Sequence, residues 1–332
     1  MIKKIFLSFI GIIVLIFVIV LVFDKSKTIE TVPNQSESPT ISIEEKPISV
    51  IFTGDIMLDR GVEYMVNKNL SDWTWPFLEI ADYLKTADFV VGNLEGPISN
   101  KGQNVGSIYS FRFNPETLKG LNFAGFNILS LANNHALDYG KEALEDSFTR
   151  IKNTRIDFIG AGFTILNSDS PLIKEIRGTK IGFLAYSDKC PKTWAATLES
   201  SGINCISLKD LELVKNIISE AKKQTDILFV LIHSGEEYTQ TLSDFQKIFS
   251  KSAIDSGADL VIGHHPHVVQ KNEVYNGKQI FYSLGNFIFD QGFSKETMEG
   301  KILKVIIENK KIKEIIPQNI KINPSFQPEI AN

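Results

Sequence analysis

The chain has 332 residues, long enough for one large α/β domain or two smaller ones. Its 35 Lys+Arg against 39 Asp+Glu give a formal charge of −4, so there is no global basic footprint for nucleic acid, and no C2H2, RRM or P-loop pattern occurs. A polyanionic partner would have to be met by bound metal or by a local patch.

Lys3 and Lys4 precede an uncharged apolar run, residues 5–23. As a helix it would span roughly 28 Å, about the hydrocarbon thickness of a bilayer. The run exceeds the apolar region of a signal peptide and no small-x-small site follows it. Residues 1–23 therefore read as an N-terminal transmembrane signal-anchor, with a cleaved secretory peptide as the alternative. The two lysines favour a cytoplasmic N-terminus, which predicts a single-pass protein of the cell membrane whose globular domain is extracytoplasmic. Residues 24–47 are polar and rich in Ser, Thr, Pro and Glu, the composition of a flexible linker. The pattern is globular over residues 48–322, and residues 323–332 read as a loose C-terminal tail.

Within the globular part, short apolar runs stop abruptly at polar residues. Residues 49–52 lead into Thr53-Gly54-Asp55, 88–91 into Gly92-Asn93-Leu94-Glu95, and 127–131 into Asn133-Asn134-His135. Residues 181–185 lead into Tyr186-Ser187-Asp188, and 279–282 into Ser283-Leu284-Gly285-Asn286. Two more runs, 226–232 and 258–263, end at His233 and at His264-His265-Pro266-His267. Runs of β-branched and aromatic residues without alternation fit strands buried on both faces. Helix-like stretches lie between them at 75–85, 115–124, 140–153, 210–223 and 241–256, the last stopping at Gly257. The alternation predicts an α/β fold with central, mostly parallel strands. After Glu299, two apolar-rich runs flank Asn309-Lys310-Lys311, which predicts a terminal antiparallel hairpin.

Cys190 and Cys205 are the only cysteines, and neither has a Cys-x-x-Cys partner, which excludes a zinc ribbon. Outside the cytoplasm they could form a disulfide, with two buried free thiols as the alternative. Trp73 and Trp75, just before Pro76, fit core packing better than a cleft wall.

All five histidines lie at the ends of apolar runs rather than scattered over helices and tails. Neutral imidazole is the commonest protein metal ligand, and strand ends are where α/β sheets hold their sites. The tips would bring together Asp55, Asn93, Glu95, Asn134, His135, His233, His265 and His267, with Asn286 and Asp290 beside them. Carboxylate, amide and imidazole in one place suit one or two divalent ions such as Mn²⁺, Fe²⁺ or Zn²⁺. In His265-Pro266-His267 an extended backbone would point both rings to one side. Arg60 and Arg112 are the nearest guanidinium groups for gripping a phosphate or carboxylate, and Glu236 and Glu237 could orient His233.

Six segments, in order, carry a family resemblance: Thr53-Gly-Asp-Ile-Met-Leu58, Gly92-Asn-Leu-Glu95, Ala132-Asn-Asn-His-Ala-Leu-Asp-Tyr-Gly140, His233-Ser-Gly-Glu-Glu-Tyr238, Gly263-His-His-Pro-His-Val268 and Ser283-Leu-Gly-Asn-Phe-Ile-Phe-Asp290. Together they resemble the CapA family of poly-γ-glutamate capsule synthesis proteins. That family is similar in turn to calcineurin-like metallophosphoesterases, a β-sandwich flanked by helices with its site at the C-terminal ends of strands. The resemblance implies that Asp55 is a metal ligand from the first strand and that Asn134 binds a second metal. It makes His135 the general acid facing the scissile group, with Asp55 and Asn134 also in the catalytic set. His233, His265 and His267 become imidazole ligands, with Asn93 and Glu95 completing the metal set. Arg60, Arg112, Asn286 and Asp290 remain the candidates for substrate contact. Two departures from the wider phosphoesterase pattern stand out. Met57 occupies the position of a histidine in Asp-x-His, and Asn93 that of a bridging aspartate.

Three functions fit. One is an extracytoplasmic metal-dependent hydrolase acting on a phosphoester or a γ-glutamyl amide, which the Asn134-His135 pair favours. Another is a non-catalytic metal-containing subunit that binds or exports poly-γ-glutamate, or another anionic polymer, beside membrane capsule-synthesis subunits. The missing Asp-x-His histidine and the membrane tether favour this one. The third is a purely structural metal protein.

Overall fold

The computed structural model describes residues 46–331. The expected transmembrane span, 5–23, and nearly all of the expected linker lie outside the described residues. Among the described residues, no helix is long and apolar enough to cross a membrane.

The chain opens with β1 (Ile48–Ile56), α1 (Arg60–Lys68), α2 (Ala81–Leu84), β2 (Phe89–Leu94), α3 (Thr117–Ala124), β3 (Ile128–Ser130), α4 (Gly140–Lys152) and β4 (Asp157–Ile159). It continues with β5 (Ala161–Gly162), α5 (Ile165–Ser168), β6 (Leu172–Ile176), β7 (Thr179–Ser187), β8 (Gly202–Ile203), α6 (Leu211–Lys223) and β9 (Ile227–His233). Then come α7 (Asp244–Asp255), β10 (Leu260–His264), β11 (Asn272–Tyr275), β12 (Lys278–Phe281) and β13 (Asn286–Ile288). The last strands are β14 (Glu299–Glu308), β15 (Lys311–Ile322) and β16 (Pro328–Ile330).

Apart from β5 and β8, which pair with each other, these strands make two large mixed sheets. The first runs β16-β15-β14-β1-β2-β3-β4, with β13 also paired to β1; the second runs β11-β12-β10-β9-β7-β6. The centre of each is parallel, as expected: β1-β2-β3-β4 in one and β7-β9-β10-β12 in the other. Antiparallel strands close every edge but that at β4, and they include the β14–β15 hairpin that turns at Asn309 and Lys310.

The sheets face each other across an apolar layer. Val50, Phe52, Val91 and Val305 from the first meet Phe183, Phe229, Ile262 and Phe281 from the second. Phe52 is fully buried and sits edge-on to Phe229, ring centroids 4.9 Å apart. Burying each such ring contributes about 1.5–3 kcal/mol, and the edge-on geometry adds to that. The outer face of the first sheet is covered by α1, α3 and α4 through Val62, Leu121 and Phe148. That of the second is covered by α6 and α7 through Val214, Ile218 and Phe249. Trp73 belongs to the first of these outer cores, as its composition suggested. Helix α7 starts at a capping box: Ser243 Oγ accepts from Gln246 N (3.2 Å) and Gln246 Oε1 accepts from Ser243 N (3.0 Å).

Residues 323–331 are not the loose tail expected. Strand β16 pairs antiparallel with β15, Ile320 opposite Ile330, and Gln327 Nε2 donates to the carbonyl of Trp75 at 2.7 Å. Pro328 is tolerated because it opens an edge strand, where a ladder N–H is dispensable. Cys190 and Cys205 are disulfide-bonded, Cα atoms 5.9 Å apart, pinning the loop after β7.

One close approach shapes the site. A Cβ on Gly54 would lie 2.0 Å from the carbonyl oxygen of Gly285, so only glycine lets β13 settle beside β1. Asp55 N then donates to that carbonyl at 3.0 Å, and Asp55 comes opposite Asn286.

Candidate metal centre

The tips of β1, β2, β3, β9, β10 and β13 meet where the C-terminal ends of the two sheets adjoin. Asp55, Asn93, Glu95 and Asn286 are fully buried there, and His135, His233, His265 and His267 nearly so. Asp55 and Asn93 are strand neighbours in register, one step from the β1–β2 irregularity.

Three ligand atoms converge. His233 Nε2 lies 2.7 Å from Asn134 Oδ1 and 3.1 Å from His265 Nδ1. A second group joins Asp55, Glu95 and His267, and a third joins Glu237, His265 and His267; within each, the ligand atoms lie within 4.8 Å of one another. His265 N donates to Asp55 Oδ2 at 3.2 Å, tying the two sheets' contributions together.

Burial sets the charge state of the donors. It holds the imidazoles of His233 and His265 well below their ordinary value and takes His267 down to about 3, so all three are neutral, the form that ligates. It pushes the carboxyls of Asp55 and Glu95 up, and the charge of Asp55 adds to the rise at Glu95. Two buried carboxyls that resist ionisation, with one oxygen of Glu95 (Oε2) lacking any hydrogen-bond partner, ask for a cation. The mixed N/O donor set fits a borderline divalent ion.

The structure revises several expected roles. The His265-Pro266-His267 segment is not extended: His265 has φ 98° and His267 φ 58°. This left-handed backbone turns the rings apart, centroids 6.0 Å, one toward His233 and the other toward Asn286. Asn286 holds His267 rather than substrate. Its amide nitrogen is spent on Gln291 Oε1 (3.0 Å) and the Thr297 carbonyl (2.9 Å), so its oxygen accepts from His267 Nδ1 at 2.9 Å. Asn93 turns its amide nitrogen to Asp55 Oδ1 (2.8 Å) and Glu95 Oε1 (3.2 Å), and an amide nitrogen is no metal ligand.

The arginines are also engaged. Arg60 forms an ion pair with Asp290, whose Oδ2 also accepts from Gly61 N at 2.9 Å, so these two candidates satisfy each other at the start of α1. Arg112 donates to the carbonyl of Lys101 at 3.1 Å and lies over the Tyr139 ring, 4.2 Å to its centroid, bracing a loop. Glu236 pairs with Lys189 at 2.9 Å, away from the His233 ring, whereas Glu237 faces His265 and His267. Met57 is fully buried and its sulfur accepts from Asp59 N at 3.1 Å, in keeping with its poor fit as a ligand.

His135 takes no part in the converging set. Its Nδ1 donates to Asp138 Oδ2 at 2.7 Å, and that oxygen also accepts from Phe111 N at 2.9 Å. The Phe111 ring packs on the imidazole, centroids 4.2 Å apart. Asp138, Phe111, Asn133 and Gln291 were not singled out by sequence reasoning; only the Asp138 spacing, three residues after His135, carried a signal. His264, the fifth histidine, is structural: its Nε2 donates to the Thr53 carbonyl at 3.0 Å across the sheets.

Paired mixed sheets sheathed by helices, with imidazole, carboxylate and amide groups at their adjoining strand ends, make an α/β fold that resembles the metallophosphoesterases. A phosphatase from Mycoplasma pneumoniae shares the fold (TM-score 0.50, 16% identity, 85% of this chain and 96% of that one). So does a hypothetical protein from Thermus thermophilus (TM-score 0.51, 14% identity, 82% and 99%). The chain belongs to the bacterial capsule synthesis protein PGA_cap family, which it matches over residues 49–291. It is 35% identical over 266 residues to the PGA biosynthesis protein CapA of Bacillus subtilis strain 168, covering 79% of this chain and 68% of that protein. To the capsule biosynthesis protein CapA of Bacillus anthracis it is 33% identical over 296 residues, covering 86% and 71%.

Proposed function

We propose that this is a CapA-type protein of poly-γ-glutamate capsule biosynthesis, anchored in the membrane with its globular domain outside, and that its buried cluster is a divalent-metal centre with hydrolase-like chemistry. The observation that carries the chemistry is the convergence of Asn134 Oδ1, His233 Nε2 and His265 Nδ1, with His135 adjacent but bonded elsewhere. A purely structural site has no use for an oriented imidazole that ligates nothing.

Asp55, Glu95, Asn134, His233, His265 and His267 would hold the ion or ions. When bound, a divalent ion supplies Lewis acidity toward a phosphoryl or acyl oxygen and lowers the pKa of water. The chain's own contribution is positional. Asp138 fixes the His135 ring, leaving Nε2 to give its proton to a leaving group. Phe111 covers that ring and keeps water from one face.

The family kinship and the disulfide support an extracytoplasmic setting, since such bonds persist in oxidising compartments. Retention in membranes after a carbonate wash tests the anchor; a soluble form beginning near Asp24 would overturn it. For the chemistry, elemental analysis of the globular domain is paired with turnover of an aryl phosphate and of a γ-glutamyl amide in Mn²⁺. Bound metal with turnover supports the hydrolase.

One observation favours a second reading, a metal-containing accessory subunit that handles poly-γ-glutamate without cleaving it. Both expected anion clamps are already engaged, Arg60 by Asp290 and Arg112 by loop carbonyls. Bound metal and saturable polymer binding without turnover would select this reading.

A further inference from the structure

The orientation of one buried amide decides which side chains of the centre can ligate, and the backbone decides that orientation. The amide N–H of His135 can only donate, so the atom of Asn133 facing it at 3.1 Å is Oδ1. Asn133 Nδ2 is thereby aimed at the end of β2, where it donates to the Leu94 carbonyl at 2.8 Å and to Asn93 Oδ1 at 3.2 Å. With its oxygen so engaged, Asn93 must present its nitrogen to Asp55 Oδ1, Glu95 Oε1 and His233 Nδ1. Asn133 and Asn93 are both fully buried. The consequence reaches Glu95, whose Oε1 is held by Asn93 while Oε2, buried and without a hydrogen-bond partner, stays free beside Asp55 and His267.

We propose that Asn133 is the positioning residue of the metal centre: it fixes Asn93 as a donor between two carboxylates, so that Glu95, and not Asn93, is the ligand beside Asp55. This rests on the metal-centre reading above. Asn133 touches no ligand itself. It acts through Asn93, and it does so across the gap between β2 and β3.

The test measures Mn²⁺ affinity of the globular domain by competition with a chelator, alongside thermal unfolding of the metal-free protein. Wild type comes first: if it binds no Mn²⁺, the metal-centre reading falls on its own account. Asn133→Ser keeps a hydroxyl able to accept from His135 N–H but too short to reach Asn93. It is expected to weaken Mn²⁺ binding about 10–100-fold, the range for groups that orient ligands, alongside a fall of several degrees in the metal-free melting temperature as two buried acceptors lose their donor. Glu95→Gln should lose at least as much. The double variant Asn93→Asp/Glu95→Gln returns a carboxylate to position 93, where Asn133 still donates to its near oxygen. It should recover to within about tenfold of wild type, and Asn133→Ser added to this pair should cost little further affinity, because a carboxylate has no nitrogen to misplace. Wild-type affinity in either Asn133→Ser or Glu95→Gln would overturn the proposal, as would failure of the double variant to recover. Because the Glu95 and double variants leave Asn133 intact, a poorly folded Asn133→Ser does not remove the test.

Discussion

The Nδ1 of His135 lies 2.7 Å from Asp138 Oδ2, and the same oxygen accepts the backbone N–H of Phe111, so one carboxylate holds both the imidazole and the ring that covers it. If His135 is the general acid, His135→Asn should leave metal content and thermal stability nearly intact. Hydrolysis of an aryl phosphate in Mn²⁺ should fall about 10²–10⁴-fold. Asp138→Asn should lower turnover less, because its amide oxygen can still accept from both donors. Loss of metal in His135→Asn would make the residue a ligand instead.

His233→Ala and His265→Ala each remove one of two imidazole nitrogens standing 3.1 Å apart. Together they should strip the metal from the purified domain while far-UV circular dichroism stays native. Elemental analysis reads the result directly; a stoichiometric ion retained in the double variant would show that these rings do not ligate.

Metal binding should weaken in mild acid. Burial pushes Asp55 up to about 7, so a cation must displace its proton at lower pH. The imidazole of His267, held down to about 3, contributes nothing in that range. Mn²⁺ affinity is therefore expected to fall as pH drops through about 7, by about tenfold per pH unit for each proton displaced, with the raised Glu95 carboxyl adding to the slope. Dissociation constants at pH 8, 7 and 6 check the slope, and a flat profile would remove Asp55 from the ligand set.

Breaking the Cys190–Cys205 bond by double serine substitution should cost about 3 kcal/mol, the chain-entropy value for a loop of its size. Urea unfolding with and without a reductant would measure it. The bond begins three residues after Ser187, whose hydroxyl donates to the His233 carbonyl at 3.2 Å, so the same variant should also loosen metal binding.

Truncation after Asn323 removes β16 and the Gln327 contact to Trp75, exposing Ile320 and Ile322, now nearly buried. A loss of about 2–3 kcal/mol, seen as a drop of several degrees in melting temperature, is expected from two aliphatic side chains and a ladder end. An unchanged melting temperature would return these residues to the status of a tail.

Most of the layered fold was legible because buried strands declare themselves as apolar runs that end in Gly, Asn, Asp or His. The runs at 49–52, 88–91, 127–131 and 226–232 all became central strands. Helix α1 escaped notice because only Val62 and Val66 of it are buried, too few for a clear period. Strand β16 escaped because its pairing partner supplies what its own three residues cannot. At the centre, composition pointed to the clustered residue types but not to amide orientation. Whether Asn93 offers oxygen or nitrogen depends on Asn133, forty positions away, and on a backbone N–H at His135. Likewise, nothing in a linear reading says that Arg60 finds Asp290, separated from it by 230 positions.

The donor atoms are divided between the layers: Asp55, Glu95 and Asn134 come from the first sheet, and His233, His265 and His267 follow strands of the second. Neither sheet alone has a complete set, so the centre forms only when the sheets have docked. An ion seated there would act as a rivet through the seam, favouring the docked state over any with the layers apart. Its grip adds RT ln(1 + [M]/Kd) to stability, about 2.7 kcal/mol at a hundredfold excess over Kd. Without the ion the domain would thus be looser at this one edge, while the Phe52–Phe229 layer beneath stayed closed.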